Sequence, residues 1–174
     1  MLPRLLRRLL HLAAWLQTIV SITVATAGID PATIRFRHRS VKDGLSQSTI
    51  NCVIQDHEGF IWLGTQDGLN RYDGYTFNVY RHDSRDSLSI SDSYVNSLFE
   101  DSKGRLWIGT YSGGLNLYDR DRDAFTHFLC DTTAPSTISG SNVWGITEEK
   151  GGKIWVAVWA GGVNGSWSTR AVPA

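Results

Sequence analysis

The chain has 174 residues, 17 basic and 17 acidic side chains, and 11% aromatic residues. That length holds one ordinary domain, and the balanced charge gives no basic footprint for nucleic acid and no attraction to an anionic membrane surface. Seven Trp and 17 Gly against four Pro, with no helical apolar spacing beyond residue 28, favour short strands joined by glycine turns over helices.

The first 27 residues have the pattern of a secretory signal peptide. Arg4, Arg7 and Arg8 form a positive start, residues 9–24 are mostly apolar, and Ala25-Thr26-Ala27 supplies an A-x-A cleavage site. An uncleaved anchor is the alternative, but the apolar run is short for a span and is broken by His11 and Gln17. Cleavage after Ala27 removes three basic residues and no acidic one. It leaves a weakly acidic domain expected in the periplasm.

Residues 28–44 form a lead-in segment. Within it, residues 34–39 (IRFRHR) alternate like a strand without a repeat of their own, which suits an outer strand that closes a ring. Residue 45 then opens a unit of about 45 residues. It is written as blade 1 over 45–89, blade 2 over 90–137 and a partial blade 3 over 138–174. LSQSTI, ISDSYV and ISGSNV open the three units, and Trp62, Trp107 and Trp155 mark their register. In blade 1 the expected strands are 49–55, 60–65, 69–72 and 77–81. The turns between the first three are Asp56-His57-Glu58-Gly59 and Gln66-Asp67-Gly68. Blade 2 repeats them at 94–100, 106–110, 115–118 and 125–129.

Four short antiparallel strands per unit describe a propeller blade, so the fold class is all-β, with about three four-stranded blades of an incomplete propeller. The second strand of each unit is apolar on both faces (Ile61, Trp62, Leu63; Leu106, Trp107, Ile108), as a sheet sandwiched between neighbours requires. Its Trp belongs by default to the core. Gly64 and Gly109 leave room for the next blade, and Ala157 stands at that position in the third unit, one methyl larger. Three blades leave one face of the first and one of the third uncovered, surfaces that invite association. Cys52 and Cys130 fall on opposite sides of a repeat, so Cys52 reads as a small buried apolar residue and not as half of a disulfide.

Ile61-Trp62-Leu63-Gly64-Thr65 with Gly68-Leu69-Asn70-Arg71-Tyr72-Asp73, and Leu106-Trp107-Ile108-Gly109-Thr110 with Gly114-Leu115-Asn116-Leu117-Tyr118-Asp119, resemble the two-component regulator propeller repeats, whose blades centre on L-W-x-G-T-x-x-G-L-x-x-Y-D. FRHRSVKDGLSQSTI resembles that family's opening segment. The resemblance covers roughly residues 34–164. It implies the periplasmic input half of a bacterial receptor: paired seven-bladed propellers, an Ig-like domain, a membrane helix, then a histidine kinase or diguanylate cyclase. Ligands in the better-known branch are oligosaccharides. The partners implied are therefore an oligosaccharide, further blades and membrane-anchored signalling domains. The chain departs from the pattern after Val163-Asn164, where Gly165-Ser166-Trp167 replace apolar-x-Tyr-Asp. A fragment or frameshifted gene is the expectation that this departure raises.

No catalytic constellation, metal set or cofactor motif stands out. Asp119 to Asp123 mimic the start of a calcium loop but lack its Gly, and Cys130 stands where the twelfth-position Glu is needed. The five His are scattered without partners at metal spacing, and no G-x-S-x-G occurs. The turns at one end of the blades are near copies (DHEG, DSKG, EKGG), whereas the other end varies: Gln66, Tyr111 and Trp159 are equivalent, flanked by Asp67, Ser112 and Ala160. Aromatic plates beside amides and carboxylates suit a sugar ring. Gln66, Asp67, Tyr111 and Trp159 are therefore the candidate ligand-binding residues, with capping of the blades as the competing role for the rings. A ligand-sensing propeller, a non-functional remnant of one, and a catalytic propeller (lyase or hydrolase) are the three functional classes left open.

Overall fold

A computed structural model describes residues 33–134 and 137–167, without the side chains of Ser166 and Trp167. The signal peptide and its cleavage site lie outside the described residues. The chain divides into two units, 1–37 and 38–174. Residues 33–37 carry no strand, and neither do residues 38–40. Residues 34–39 thus form no strand among the described residues, and Phe36 is 93% exposed. The second unit opens on a 3-10 turn, Val41–Asp43, capped by Ser40, whose hydroxyl accepts from the Lys42 amide and whose own amide donates to Asp43.

Eleven strands follow among the described residues. Blade 1 holds β1 (Ile50–Gln55), β2 (Ile61–Thr65), β3 (Gly68–Tyr72) and β4 (Phe77–Tyr80). Blade 2 holds β5 (Val95–Glu100), β6 (Leu106–Thr110), β7 (Leu115–Asp119) and β8 (Ala124–Phe128). Blade 3 holds β9 (Val143–Glu148), β10 (Ile154–Val158) and β11 (Gly162–Trp167). Each sheet is an antiparallel meander in chain order. The strands fall within a residue of their expected ends, because the Trp register and the glycine turns leave little freedom to slide.

The sheets pack face to face through two cores. Trp62 and Leu69 of blade 1 meet Val95, Leu106, Ile108, Tyr118 and Phe125 of blade 2, with Ile90 between them. Trp107, Leu115 and Leu117 of blade 2 meet Val143, Ile154, Val156 and Val158 of blade 3, with Ile138 between them. Each such side chain withdrawn from water contributes about 1.5–3 kcal/mol. Within a blade the faces therefore divide: Trp107 points forward to blade 3, and its neighbours Leu106 and Ile108 point back to blade 1. The innermost strands β1, β5 and β9 adjoin one another across the seams.

Close approach explains the glycines of the second strand. A Cβ on Gly64 would lie 2.6 Å from Val95 Cγ1 and collide with Cys52 Sγ, and one on Gly109 would lie 2.5 Å from Val143 Cγ1 and collide with Ser97 Oγ. Blade 3 reverses the pair: Ala157 carries the methyl and its cross-strand partner is Gly145. The methyl noted in the sequence is thus accommodated inside its own sheet. Cys52 and Cys130 are free thiols, and burial pushes the Cys52 thiol up to about 12.

The divergent stretch after Asn164 still forms a third strand, with its irregularity between Ile154 and Trp155. Gly165 lies opposite Trp155 and, lacking a Cβ, leaves room for the indole to fold across the strand. Trp155 is nevertheless 37% exposed. This corrects the core assignment for the third Trp. Its face is the forward one, which in blades 1 and 2 is covered by a following blade and here meets none among the described residues. Ile50 and Val53 of β1 are likewise exposed on the outer side of blade 1.

Candidate functional site

Two repeated devices hold each blade rigid and so fix the loops at its ends. At one end, the turn between the first two strands begins with an acidic residue that captures the Trp six positions on. Asp56 accepts from Trp62 Nε1 at 2.7 Å, Asp101 from Trp107 Nε1 at 2.9 Å, and Glu149 from Trp155 Nε1 at 3.1 Å. The two Asp also accept backbone amides of their own turns, Glu58 and Phe60 in blade 1, Lys103 and Arg105 in blade 2. Burial works against ionisation of Asp56, but the Trp62 indole, Arg120 and the Phe60 amide together hold its carboxyl below the ordinary 3.8. Burial opposes ionisation of Asp101 as well, and Arg105, Trp107 and the turn amides overcome it.

The second device lies at the opposite end and was missed in the sequence, although both halves repeat visibly. The first Ser of each Ser-x-Ser and the Asn of the third strand clasp one another reciprocally. Ser46 N donates to Asn70 Oδ1 (2.9 Å), and Asn70 Nδ2 donates to Ser46 Oγ (2.8 Å). Ser91 with Asn116 (3.0 and 2.7 Å) and Ser139 with Asn164 (3.1 and 2.9 Å) repeat the pair. Each clasp ties the loop that enters a blade to that blade's third strand. The fixed separations of 24, 25 and 25 residues were the available signal.

Polar links also cross the seams. Gly68 N donates to Ser93 O and Gly114 N to Ser141 O, each at 2.8 Å. Glu100 accepts the His57 amide (2.9 Å) and faces its Nδ1 (2.6 Å), and Glu148 accepts the Ser102 amide and hydroxyl (both 2.8 Å). The first seam has a further clamp: Arg120 lies 2.9 Å from each of Asp56, Glu58 and Glu100. Asp123, in the left-handed region at φ 51°, accepts from Tyr80 (2.7 Å) and Tyr118. Arg71 lies over the Phe60 ring and donates to the Tyr118 hydroxyl at 2.9 Å. Burial first, then hydrogen bonding to Asp123, pushes the Tyr118 hydroxyl up.

The turns after the second strands form the other end, and the structure places the four candidate residues there. Gln66 is exposed, its amide hydrogen bonds Tyr94 Oη of the next blade at 3.1 Å, and its backbone N donates to Gln47. Tyr111 (49% exposed) stacks on Tyr94 with centroids 5.0 Å apart and planes 20° apart. Trp159 (69% exposed) lies against Trp144, at 5.9 Å and 43°. Tyr111 N and Trp159 N donate to the backbone oxygens of Tyr94 and Asn142, and Asn96 Nδ2 donates to Asn142 Oδ1 across the second seam at 3.0 Å. Gln66, Tyr111 and Trp159 thus belong to one row that runs over three blades. Asp67 does not offer a free carboxylate to it, since Arg81 holds Asp67 in a two-pronged pair at 3.2 and 3.0 Å. Tyr94, Trp144 and Asn142 were missed because they stand outside the turns, at the starts of the first strands.

A hollow of about 720 Å³ lies at the repeated end, lined by Lys103, Arg105, Leu117, Arg120 and Arg122 among others. Its cations face carboxylates already: Arg105 faces Asp101, Arg120 faces three acids, and Arg122 lies 3.8 Å from Asp119. No group of three or more His, Cys, Asp or Glu able to hold a metal occurs among the described residues. No described helix is long and apolar enough to cross a membrane.

Antiparallel four-stranded sheets stacked face to face about adjoining inner strands define propeller blades. Residues 44–67 and 89–112, which run from the lead-in of blades 1 and 2 through their second strands, match the two-component regulator propeller family model. Over 49 residues the chain is 55% identical to histidine kinase P4 of Formosa agariphila, an overlap that covers 28% of this chain and 4% of that protein. In structure it is similar to the extracellular domain of BT3049 from B. thetaiotaomicron, assigned to a hybrid two component system, with a TM-score of 0.66 and 24% identity over 79% of this chain and 21% of that one. The extracellular domain of BT4673 from the same organism, likewise assigned, is similar at a TM-score of 0.57 and 25% identity over 71% and 18% of the two chains. The chain therefore spans a small part of the length of each relative.

Proposed function

We propose that this chain is ligand-binding propeller sequence from the exported input region of a membrane-anchored signalling receptor of the histidine-kinase type, and that its ligand is a carbohydrate. One observation carries the reading: the two ends of the blades are built on opposite plans. The end with the Asp–Trp turns repeats nearly unchanged, whereas the other presents exposed aromatic rings with amides between them, outside both cores. Rings of this kind accept the apolar face of a sugar, and amides match its hydroxyls. The similarity to a histidine kinase and to extracellular two-component domains supports a receptor with a kinase output over a cyclase, and an extracytoplasmic site. Replacing Tyr111 and Trp159 together with Ala is expected to weaken glycan binding more than tenfold, 1.4 kcal/mol or more, in calorimetric titration of the full chain, with the melting temperature nearly unchanged. Unchanged affinity, or a loss of stability as large as that of Trp62→Ala, would move the site elsewhere.

A further inference from the structure

The aromatic residues of the variable end follow a rule of their own. Three repeat positions are involved: Thr49, Tyr94 and Asn142 before the first strand, Asn51, Asn96 and Trp144 within it, and Gln66, Tyr111 and Trp159 in the turn after the second strand. Blade 1 has no aromatic residue at any of them. Blade 2 has two, Tyr94 and Tyr111, and these stack. Blade 3 also has two, at a different pair of positions, and Trp144 and Trp159 again touch. Both departures from the repeat thus yield a contacting pair of rings. Neither pair contributes to the inter-blade cores, and Tyr111, Trp144 and Trp159 are each about half exposed or more. At Trp144 the change replaces an Asn whose counterparts link neighbouring blades, Asn51 to Val95 O and Asn96 to Asn142. A structural link gives way to an exposed ring.

The charges of this end narrow the ligand further. Asp67 is held by Arg81, and Asp92 accepts the amide and hydroxyl of Ser112 at 2.7 and 2.8 Å. Arg81 is thereby committed to a carboxylate. Asp83 and Arg85, in the following loop, pair with each other at 3.0 Å. An acidic sugar would have to displace an existing ion pair, whereas hydroxyls can use the side-chain amides of Gln66, Asn96 and Asn142, each of which has more bonding capacity than the bond it makes here.

We infer that the mouth takes an uncharged glycan of at least two rings, one seated on the Tyr94–Tyr111 pair and another on the Trp144–Trp159 pair, with the Asn96–Asn142 amides beneath the linkage between them. The inference rests on the carbohydrate reading and goes beyond it in length and charge. Neither platform alone holds a ligand tightly; linkage makes the second contact intramolecular, so affinity climbs with chain length until both are covered.

The test titrates the full chain with a graded series of neutral hexose oligomers, from the monosaccharide upward, and with oligouronates of the same lengths, following Trp fluorescence and heat. The expected result is at least a tenfold gain in affinity between the monosaccharide and the shortest oligomer that spans both platforms, with each oligouronate weaker than its neutral counterpart. The double variants Tyr94→Ala/Tyr111→Ala and Trp144→Ala/Trp159→Ala should each abolish that gain, while Trp159→Phe retains most of it. Equal affinity for monosaccharide and oligomer, or tighter binding of the uronates, overturns the two-platform site while sparing the carbohydrate reading. Failure of every glycan to bind the unmodified chain overturns both.

Discussion

The two ends of these blades use the same residue classes for opposite purposes. At the repeated end, aromatic and charged side chains point inward: Trp62 and Trp107 are buried and anchored on Asp56 and Asp101, and Arg120 is spread over three carboxylates. At the variable end, Tyr111, Trp144 and Trp159 project into solvent. An indole fixed by a buried carboxylate belongs to the framework; one that leans only on another exposed ring is free to meet a ligand. Substitutions at the first end should therefore register as stability and at the second as binding.

The largest effect is expected from Asp101→Ala. It strips the acceptor from Trp107 Nε1, from two turn amides and from Arg105, so that buried donors and a partly buried cation lose their partner. A loss of about 3–5 kcal/mol, the range for breaking a buried pair, should appear in denaturant unfolding, and a change under about 1 kcal/mol would show that the turn is held by other means. The same carboxylates make the framework acid-sensitive. Because the folded Asp56 and Asp101 carboxyls lie below their ordinary 3.8, their contribution is present above that pH and is lost as pH falls beneath it toward the folded values. Asp56→Asn should flatten part of this acid slope.

A smaller effect tests the close approach of blades 2 and 3. Gly109→Ala places a methyl against Val143 and Ser97 and should cost about 1–3 kcal/mol through overpacking. Adding Ser97→Gly imitates the natural Gly145–Ala157 arrangement and should restore part of the loss, leaving the clash with Val143. No coupling between the two changes in a double-mutant cycle would break the argument.

The clasps come next. Asn116 is fully buried and both accepts from and donates to Ser91, so Asn116→Ala takes the partner from the half-buried Ser91 amide and hydroxyl and should cost about 1–3 kcal/mol. Asn164 makes the same bonds with Ser139 in a more exposed setting, and Asn164→Ala should cost less than half as much by chemical denaturation.

Much of this framework was legible because a repeat states its own register. Trp62, Trp107 and Trp155 aligned the strands, and each glycine turn fixed where a strand had to stop. A spacing of six from an acidic residue, Asp56, Asp101 or Glu149, to the Trp was present in every unit and could have been read as a hydrogen bond. Contacts across the seams were not legible: Arg120 reaches Asp56 over 64 residues and Asn51 reaches Val95 over 44, and no local pattern encodes which blade faces which. The candidate site was half visible. The variable turn positions pointed to Gln66, Tyr111 and Trp159 as candidates, but the rings beside two of them, Tyr94 and Trp144, stand at the start of a first strand and meet the turn only in the folded blade. The sequence placed Asp67 in the site by proximity, whereas the return of β4 brings Arg81 onto it.

The smallest stability effect is expected at Trp159, where the proposed site calls for a large binding effect. Trp159 donates its backbone N to Asn142 O, a bond that any residue except proline can make, and its ring touches Trp144 but neither core. Trp159→Ala should therefore change unfolding free energy by no more than about 0.5 kcal/mol, the range for a surface position outside the packed interior. Trp107→Ala, an identical deletion at the other side of the same comparison, should cost about 3–5 kcal/mol. A ratio near one between the two would mean that the exposed rings brace the blades, and the distinction between a framework end and a binding end would fall with it.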